Sequence, residues 1–287
     1  MSLWLRLTIA IVVLFGVAFG AAYWIGTIRW NSVSSRMIEK LKEAPSRQEA
    51  KTVSFRNFDK LPAPVARYFR IALKDGQPLV RSAGVSHKGE FLTSPEGNGW
   101  SPFESSQSFS ANPPGFVWDA TIRMAPMMDV RVRDTYLAGR GSMQARTFAV
   151  IPVMDAIGKA ELDAGALQRY LAEAVWFPTA LLPGKGVIWS AIDNTRALAT
   201  LIDSGTTVSL EFSFNEKGEI TRVFSPGRFR EEKGKYILTP WAVRVWNYEE
   251  RGGMRIPLEG EVEWQLPGGN MPYWKGKIVE VKYDFER

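Results

Sequence analysis

Between Leu79 and Phe285 apolar and polar side chains alternate with a period of two, and this alternation constrains the fold more than any other feature of the chain. Successive side chains of a strand point to opposite faces, so a period of two marks a strand with one buried side. Phe116, Trp118, Ala120, Ile122 and Met124 share one face, while Val117, Asp119, Thr121 and Arg123 share the other. Val208, Leu210, Phe212 and Phe214 alternate with Ser209, Glu211, Ser213 and Asn215. Val262, Trp264 and Leu266 against Glu261, Glu263 and Gln265, and Val279, Val281, Tyr283 and Phe285 against Glu280, Lys282 and Asp284, repeat the pattern. Residues that accept positive φ separate the runs at Glu96–Gly99, Glu216–Gly218, Lys233–Gly234, Arg251–Gly253 and Gly268–Asn270, so sequential strands become antiparallel neighbours. The expectation is a mainly β (α+β) domain whose antiparallel sheet of about ten to twelve strands, wet on one side, curves like a half-barrel to bury the other.

One or two helices are expected to cover that sheet. Asp59 to Leu73 carries Val65, Tyr68, Phe69 and Ala72 at helical spacing. Ala166 to Phe177, stopped at Pro178, carries the apolar stripe Leu167, Tyr170, Leu171, Ala174 and Phe177. Upstream, the run Leu7 to Ile28 holds 22 residues without a charge. As a helix it is about 33 Å long, enough to cross a hydrocarbon core. Trp4 on one side and Tyr23, Trp24 and Trp30 on the other suit the headgroup level. The run outlasts the apolar core of a cleavable signal, about 7 to 15 residues, so a retained transmembrane helix is expected, with cleavage near Ala18-Phe19-Gly20 as the alternative. Helical periodicity in Ser34 to Glu43 stops at Pro45. The chain thus divides into an anchor over residues 1–30, a basic stalk over 31–60 and a β-rich domain over 61–287.

The positive charge is concentrated beside the anchor. Arg29 to Lys88 holds 13 Lys/Arg and 5 Asp/Glu, whereas Gly89 to Arg287 holds 22 and 25. Such a stretch is drawn to anionic headgroups by about 1 kcal/mol per charge near the surface. The expected partner is therefore the lipid bilayer and not nucleic acid; the plainer alternative is a solvated linker helix. Cations after the anchor argue for a cytoplasmic domain, while the short N-terminal tail has the form of a signal anchor whose domain is translocated. The expectation adopted is a single-pass protein of the cell membrane with an extracytoplasmic domain.

The chain has no cysteine and one histidine, which removes thiol nucleophiles, thiolate metal sites and any two-histidine metal centre within one chain. No metal site or cofactor is implied, and Rossmann and P-loop glycine patterns are missing.

Several peptides follow one another along the chain: Leu61-Pro62-Ala63-Pro64-Val65 with Arg67-Tyr68-Phe69, Gly115-Phe116-Val117-Trp118-Asp119, Val132-Arg133-Asp134, Arg169-Tyr170-Leu171-Ala172-Glu173-Ala174-Val175-Trp176-Phe177-Pro178, Arg255-Ile256-Pro257 and Tyr273-Trp274-Lys275-Gly276. In these the chain resembles a prokaryotic family of domains of unknown function, over roughly Leu61 to Tyr283, which implies no activity. In architecture alone it is similar to the half-barrel lipoprotein carriers of the LolA type, a resemblance that implies an apolar chain held between sheet and helices.

Candidate functional residues gather on the Ala166–Phe177 helix. Arg169 and Glu173 are spaced to share a face, with Trp176 one turn on. A carboxylate among Tyr170, Trp176 and Phe177 would have a raised pKa suited to acid or base chemistry; the simpler role is an ion pair fixing the helix to the sheet. Asp134 falls in register with Val130, Val132 and Tyr136, so it is expected to face the core or end its strand, with Arg123 or Arg140 as partner. Asp119 lies on the polar face of its strand. His87, in Ser86-His87-Lys88-Gly89, is expected at the surface. Eight tryptophans follow the stalk and suit either a thick core or a lined cavity; Trp241 and Trp246 differ in parity and face opposite ways. The first functional expectation is a membrane-anchored domain binding a lipid or other apolar ligand through Arg169, Tyr170, Glu173, Trp176, Phe177 and Trp118. A second is a carboxylate-dependent glycosidase or lyase using two of Glu173, Asp134 and Asp119, and a third is a structural or partner-binding module.

Overall fold

The computed structural model describes residues 2–44, 51–94, 99–126, 128–184 and 186–286. The expected helix stop at Pro45 and residues 96–98 of the Glu96–Gly99 turn lie outside them.

All thirteen described strands join one antiparallel sheet: β1 (Val80–Leu92), β2 (Trp100–Ser110), β3 (Gly115–Ala125), β4 (Met128–Leu137), β5 (Arg140–Thr147), β6 (Ile151–Ile157), β7 (Val187–Ala191), β8 (Arg196–Asp203), β9 (Thr206–Phe214), β10 (Ile220–Glu232), β11 (Lys235–Arg251), β12 (Met254–Leu266) and β13 (Gly269–Phe285). The count exceeds the expected ten to twelve because β6 is an exposed edge strand whose Ile151-Pro152-Val153-Met154 start shows no alternation. The order β6-β5-β4-β3-β2-β1-β13-β12-β11-β10-β9-β8-β7 describes two meanders joined where β1 pairs with β13. A sheet this wide must curl to bury its apolar face. It does so far enough that the Tyr136 hydroxyl on β4 donates to Asp203 on β8 at 2.8 Å.

Helix α3 (Ala160–Glu173) connects the two edges and lies across the concave side, touching β3, β4 and β5 on one half and β9 and β10 on the other. It begins at Ala160, earlier than Ala166, because Asp163 belongs to its first turn and fixes it to the sheet, accepting from Gly141 N at 2.7 Å and Arg140 at 3.0 Å. Two short 3-10 turns, Ala174–Trp176 and Pro178–Leu181, carry the apolar stripe past its end. Helix α2 (Ala63–Ala72), shorter than the expected Asp59–Leu73, fills one end of the concavity with Tyr68 and Phe69.

Helix α1 (Leu3–Glu43) is one continuous element of 41 residues. Its first part is the apolar run, long enough to cross a membrane and unburied by the protein. Its second part docks on the convex face of β2, β3 and β4. Trp30 Nε1 donates to both Asp119 oxygens at 3.0 and 2.8 Å, Ser34 bonds to Asp119 as well, and Arg133 donates to Trp30 O at 2.7 Å and to Ser34 Oγ at 2.9 Å. The Arg133 guanidinium also stacks 4.0 Å from the Trp30 ring centroid. The expectation of a face wet throughout is corrected here: Val117, Arg133 and Thr135 are buried on the convex side by α1. Val279 departs from the face it was expected to share with Val281 and Tyr283, because a bulge between the Ser86 and His87 pairings inserts one extra residue and leaves it exposed.

Candidate functional site

The end of the concavity that α2 leaves open holds a cavity of 480 Å³ between the sheet and α3. Trp118, Trp176, Trp241, Trp264 and Trp274 border it and are at the same time buried in the hydrophobic core, so the core packing and the cavity wall that sequence alone set as alternatives are here shared by the same rings. Parity holds for Trp241 and Trp246: the first is buried at the cavity wall and the second is exposed. Met143 on β5, Met154 on β6 and Val262 on β12 supply aliphatic wall.

One stretch of wall is charged. Arg169 donates to Glu173 Oε1 at 2.8 Å and to Asp134 Oδ2 at 2.6 Å, with its guanidinium 4.8 Å from the Trp118 ring centroid. The partner of Asp134 is thus on α3; Arg123 pairs with Asp129 and Arg140 with Asp163. Gln107 on β2 donates to the other Glu173 oxygen at 2.7 Å. Burial opposes the Arg169 charge, but the Glu173 and Asp134 carboxylates outweigh it and raise its pKa above the usual guanidinium value. Burial pushes the Glu173 carboxyl up, and Arg169 and Gln107 offset this only in part.

His87 stands next to this group, and its expected surface position is corrected: it is 2 % exposed, with its ring 4.7 Å from Trp176 and 5.9 Å from Trp274. The local Ser-His-Lys-Gly composition suggests a turn, yet the register Val85, His87, Gly89, Phe91 places the imidazole inward. Its Nδ1 lies 3.4 Å from Ser105 Oγ, and Nε2 has no hydrogen-bond partner among the described residues. Burial, reinforced by the Arg169 charge, lowers the imidazole pKa to about 3, so it is neutral near pH 7.

Of the ligand-binding residues expected from sequence, Arg169, Glu173, Trp176 and Trp118 line the cavity, and Asp134 joins them. Tyr170 and Phe177 turn into the closed core beside Phe109; Tyr170 donates to the carbonyls of Ser110 and Ala111. Asp119 lies on the convex face under α1, across the sheet from Asp134 and Glu173. Sequence reasoning missed Gln107, which the inward register Phe103, Ser105, Gln107, Phe109 could have revealed. It also missed Arg228, whose guanidinium lies 4.8 and 5.4 Å from the rings of Trp241 and Trp264 and donates to Gly165 O at 3.2 Å. Arg228 borders the cavity with no carboxylate partner among the described residues. No group of three or more His, Asp and Glu side chains able to hold a metal ion is gathered among those residues.

A family model described as a family of unknown function, DUF6920, matches residues 59–283, a span that contains every motif on which the family resemblance rests. No curated protein matches the chain. Among solved structures, a LolA superfamily protein from Nitrosomonas europaea aligns with a TM-score of 0.38 and 10% identity, over 78% of this chain and 93% of that one. A beta-barrel-like protein of the domain of unknown function DUF1849 from Brucella abortus aligns with a TM-score of 0.27 and 12% identity, over 72% and 98%.

Proposed function

The chain belongs to the DUF6920 family, and from the cavity between its sheet and α3 we propose that it is a membrane-anchored domain that binds a lipid or similar apolar ligand. The observation that carries this reading is the cavity itself: 480 Å³, within the range of about 300 to 1,000 Å³ usual for small-molecule sites, walled mainly by tryptophans and other apolar side chains, with charged groups confined to Asp134, Arg169 and Glu173 on one stretch and Arg228, Arg230 and Glu231 on another. Each methylene moved from water onto such walls contributes about 0.8 kcal/mol, so an acyl chain can be held without any catalytic group. Arg228 offers the ligand's polar end a cation whose charge is not neutralised by a carboxylate of the wall. The Arg169 group favours a positioning role: Glu173 is already engaged by Arg169 and Gln107, and Asp134 by Arg169, which leaves the carboxylate-enzyme reading with less support.

Native mass spectrometry and lipid extraction of the detergent-purified full chain test the proposal. The wild type is expected to retain lipid at near one per chain. Val262→Trp, which places a large ring in the cavity, is expected to lose most of it while its circular dichroism stays that of a folded β protein. Equal retention by a folded Val262→Trp variant would sink the reading.

A further inference from the structure

The turn between β5 and β6 touches α1 inside its apolar run. The Phe148 ring meets the Phe19 ring edge-on at 5.3 Å between centroids. Phe19 lies about 13 Å of helix rise before Ile28, the last residue of the uncharged run. One loop residue on, the packing is closer still: a Cβ added at Gly26 would stand 2.7 Å from Val150 Cγ2 and 2.8 Å from the Ala149 carbonyl oxygen. The turn therefore sits at the depth of the segment that is apolar enough to cross a membrane.

Its composition is unusual for a hairpin in water. Phe148 and Ala149 have φ of 53° and 58°, the left-handed region where Asn and Gly are the ordinary choices. Ile151 and Val153 follow with exposures of 55% and 62%, and Val150 is still 40% exposed although it packs against Gly26. Above the turn, Arg29, Arg133 and Arg146 line a cleft between α1 and the β4–β5 surface, and neither Arg29 nor Arg146 is ion-paired among the described residues. Apolar tip below and cations above is the order in which a leaflet presents hydrocarbon and phosphate.

The antiparallel order sets the cavity at this same end. Phe91 near the end of β1, Glu231 near the end of β10, and Tyr236 and Tyr273 near the starts of β11 and β13 all border it, as does Met154 on β6 itself. We propose that the β5–β6 turn is immersed in the bilayer leaflet from which α1 emerges, holding the cavity mouth against the membrane so that a lipid passes from leaflet to cavity without crossing water. This rests on the anchor and lipid-site reading above.

Because the chain has no cysteine, single labels can be placed without altering a native thiol. Nitroxides are attached to Ile11→Cys in the apolar run, Ile151→Cys and Val153→Cys beside the turn, and Lys217→Cys at the α2 end, each in the full chain reconstituted into phosphatidylcholine–phosphatidylglycerol vesicles. Labels at 11, 151 and 153 are expected to favour oxygen over a water-soluble nickel chelate by several-fold relative to 217. Labels at 151 and 153 as open to the chelate as 217, with 11 shielded, would overturn the proposal; a label at 11 open to the chelate would remove its anchor and overturn it too. Lipid retention is read separately, so shielded labels on a chain that retains no lipid would reject the cavity reading and leave the immersed turn standing.

Discussion

Arg169 holds two carboxylates in the cavity wall, and its removal would leave Asp134 and Glu173 buried without a countercharge. Breaking a buried charge group by deleting one partner costs about 3 to 5 kcal/mol. Arg169→Met is therefore expected to lose that much stability in chemical denaturation, with the added substitutions Asp134→Asn and Glu173→Gln restoring part of it. His87 sets a pH dependence of opposite sign to that of its neighbour Glu173. Unfolded, the imidazole takes a proton near pH 6.5; folded, only near 3, so the unfolded state binds more protons between these values. The stability it confers is complete above about pH 6.5 and falls toward pH 3, by an amount on the order of 4 to 5 kcal/mol. Glu173, whose folded pKa is raised, contributes stability that is present below the unfolded carboxylate's range and lost as pH rises through the raised value. The stability difference between wild type and His87→Phe, followed from pH 7 to 3.5, isolates the histidine and is expected to move against the wild type as acid is added. A flat difference curve would mean that the imidazole is not held neutral.

Helix α1 joins two surfaces in one element: an apolar half, long enough to cross a membrane and uncovered by the protein, and a half fixed to β3 and β4 through Trp30, Ser34, Asp119 and Arg133. Gly26 marks the join, where Ala149 and Val150 of the β5–β6 turn leave no room for a side chain. Gly26→Leu is expected to push the β5–β6 turn away from α1, raising the mobility of a nitroxide at residue 151 and lowering the midpoint of thermal unfolding. An unchanged spectrum would show that the turn does not depend on this contact. Two helical segments were legible in the sequence, from the uncharged run and from the periodicity of Ser34 to Glu43, but not their continuity as one element. Nor was its docking, because Asp119 lies 89 residues from Trp30 and looks like any polar residue on the wet side of a strand. Helix α3 was legible in its apolar stripe but not in its start, since an aspartate ahead of a helical run reads equally as a cap or as a first-turn residue.

For the whole molecule, alternation was enough to indicate a curved antiparallel sheet with a helical cover, because a strand's period of two survives wherever one face is buried. It failed where tertiary structure adds or removes a residue from the count: at the Val279 bulge, and at β6, an edge strand that has little to bury. The charged group of the candidate site was half visible, in the helical spacing of Arg169 and Glu173, while Gln107 and Asp134 reach it from β2 and β4, and His87 comes beside it from β1 against Trp176, only through the tertiary fold. The seam of the sheet also has a bearing on how such a protein matures. Val80 pairs with Phe285, so the two meanders are stitched by strands about two hundred positions apart in the chain. Contacts so distant are slow to form, since the loop they close must first lose its freedom. A nascent polypeptide still on the ribosome or in a translocation channel cannot knit this fabric until β13 is free, and until then it would present two half-sheets with open borders to any chaperone nearby.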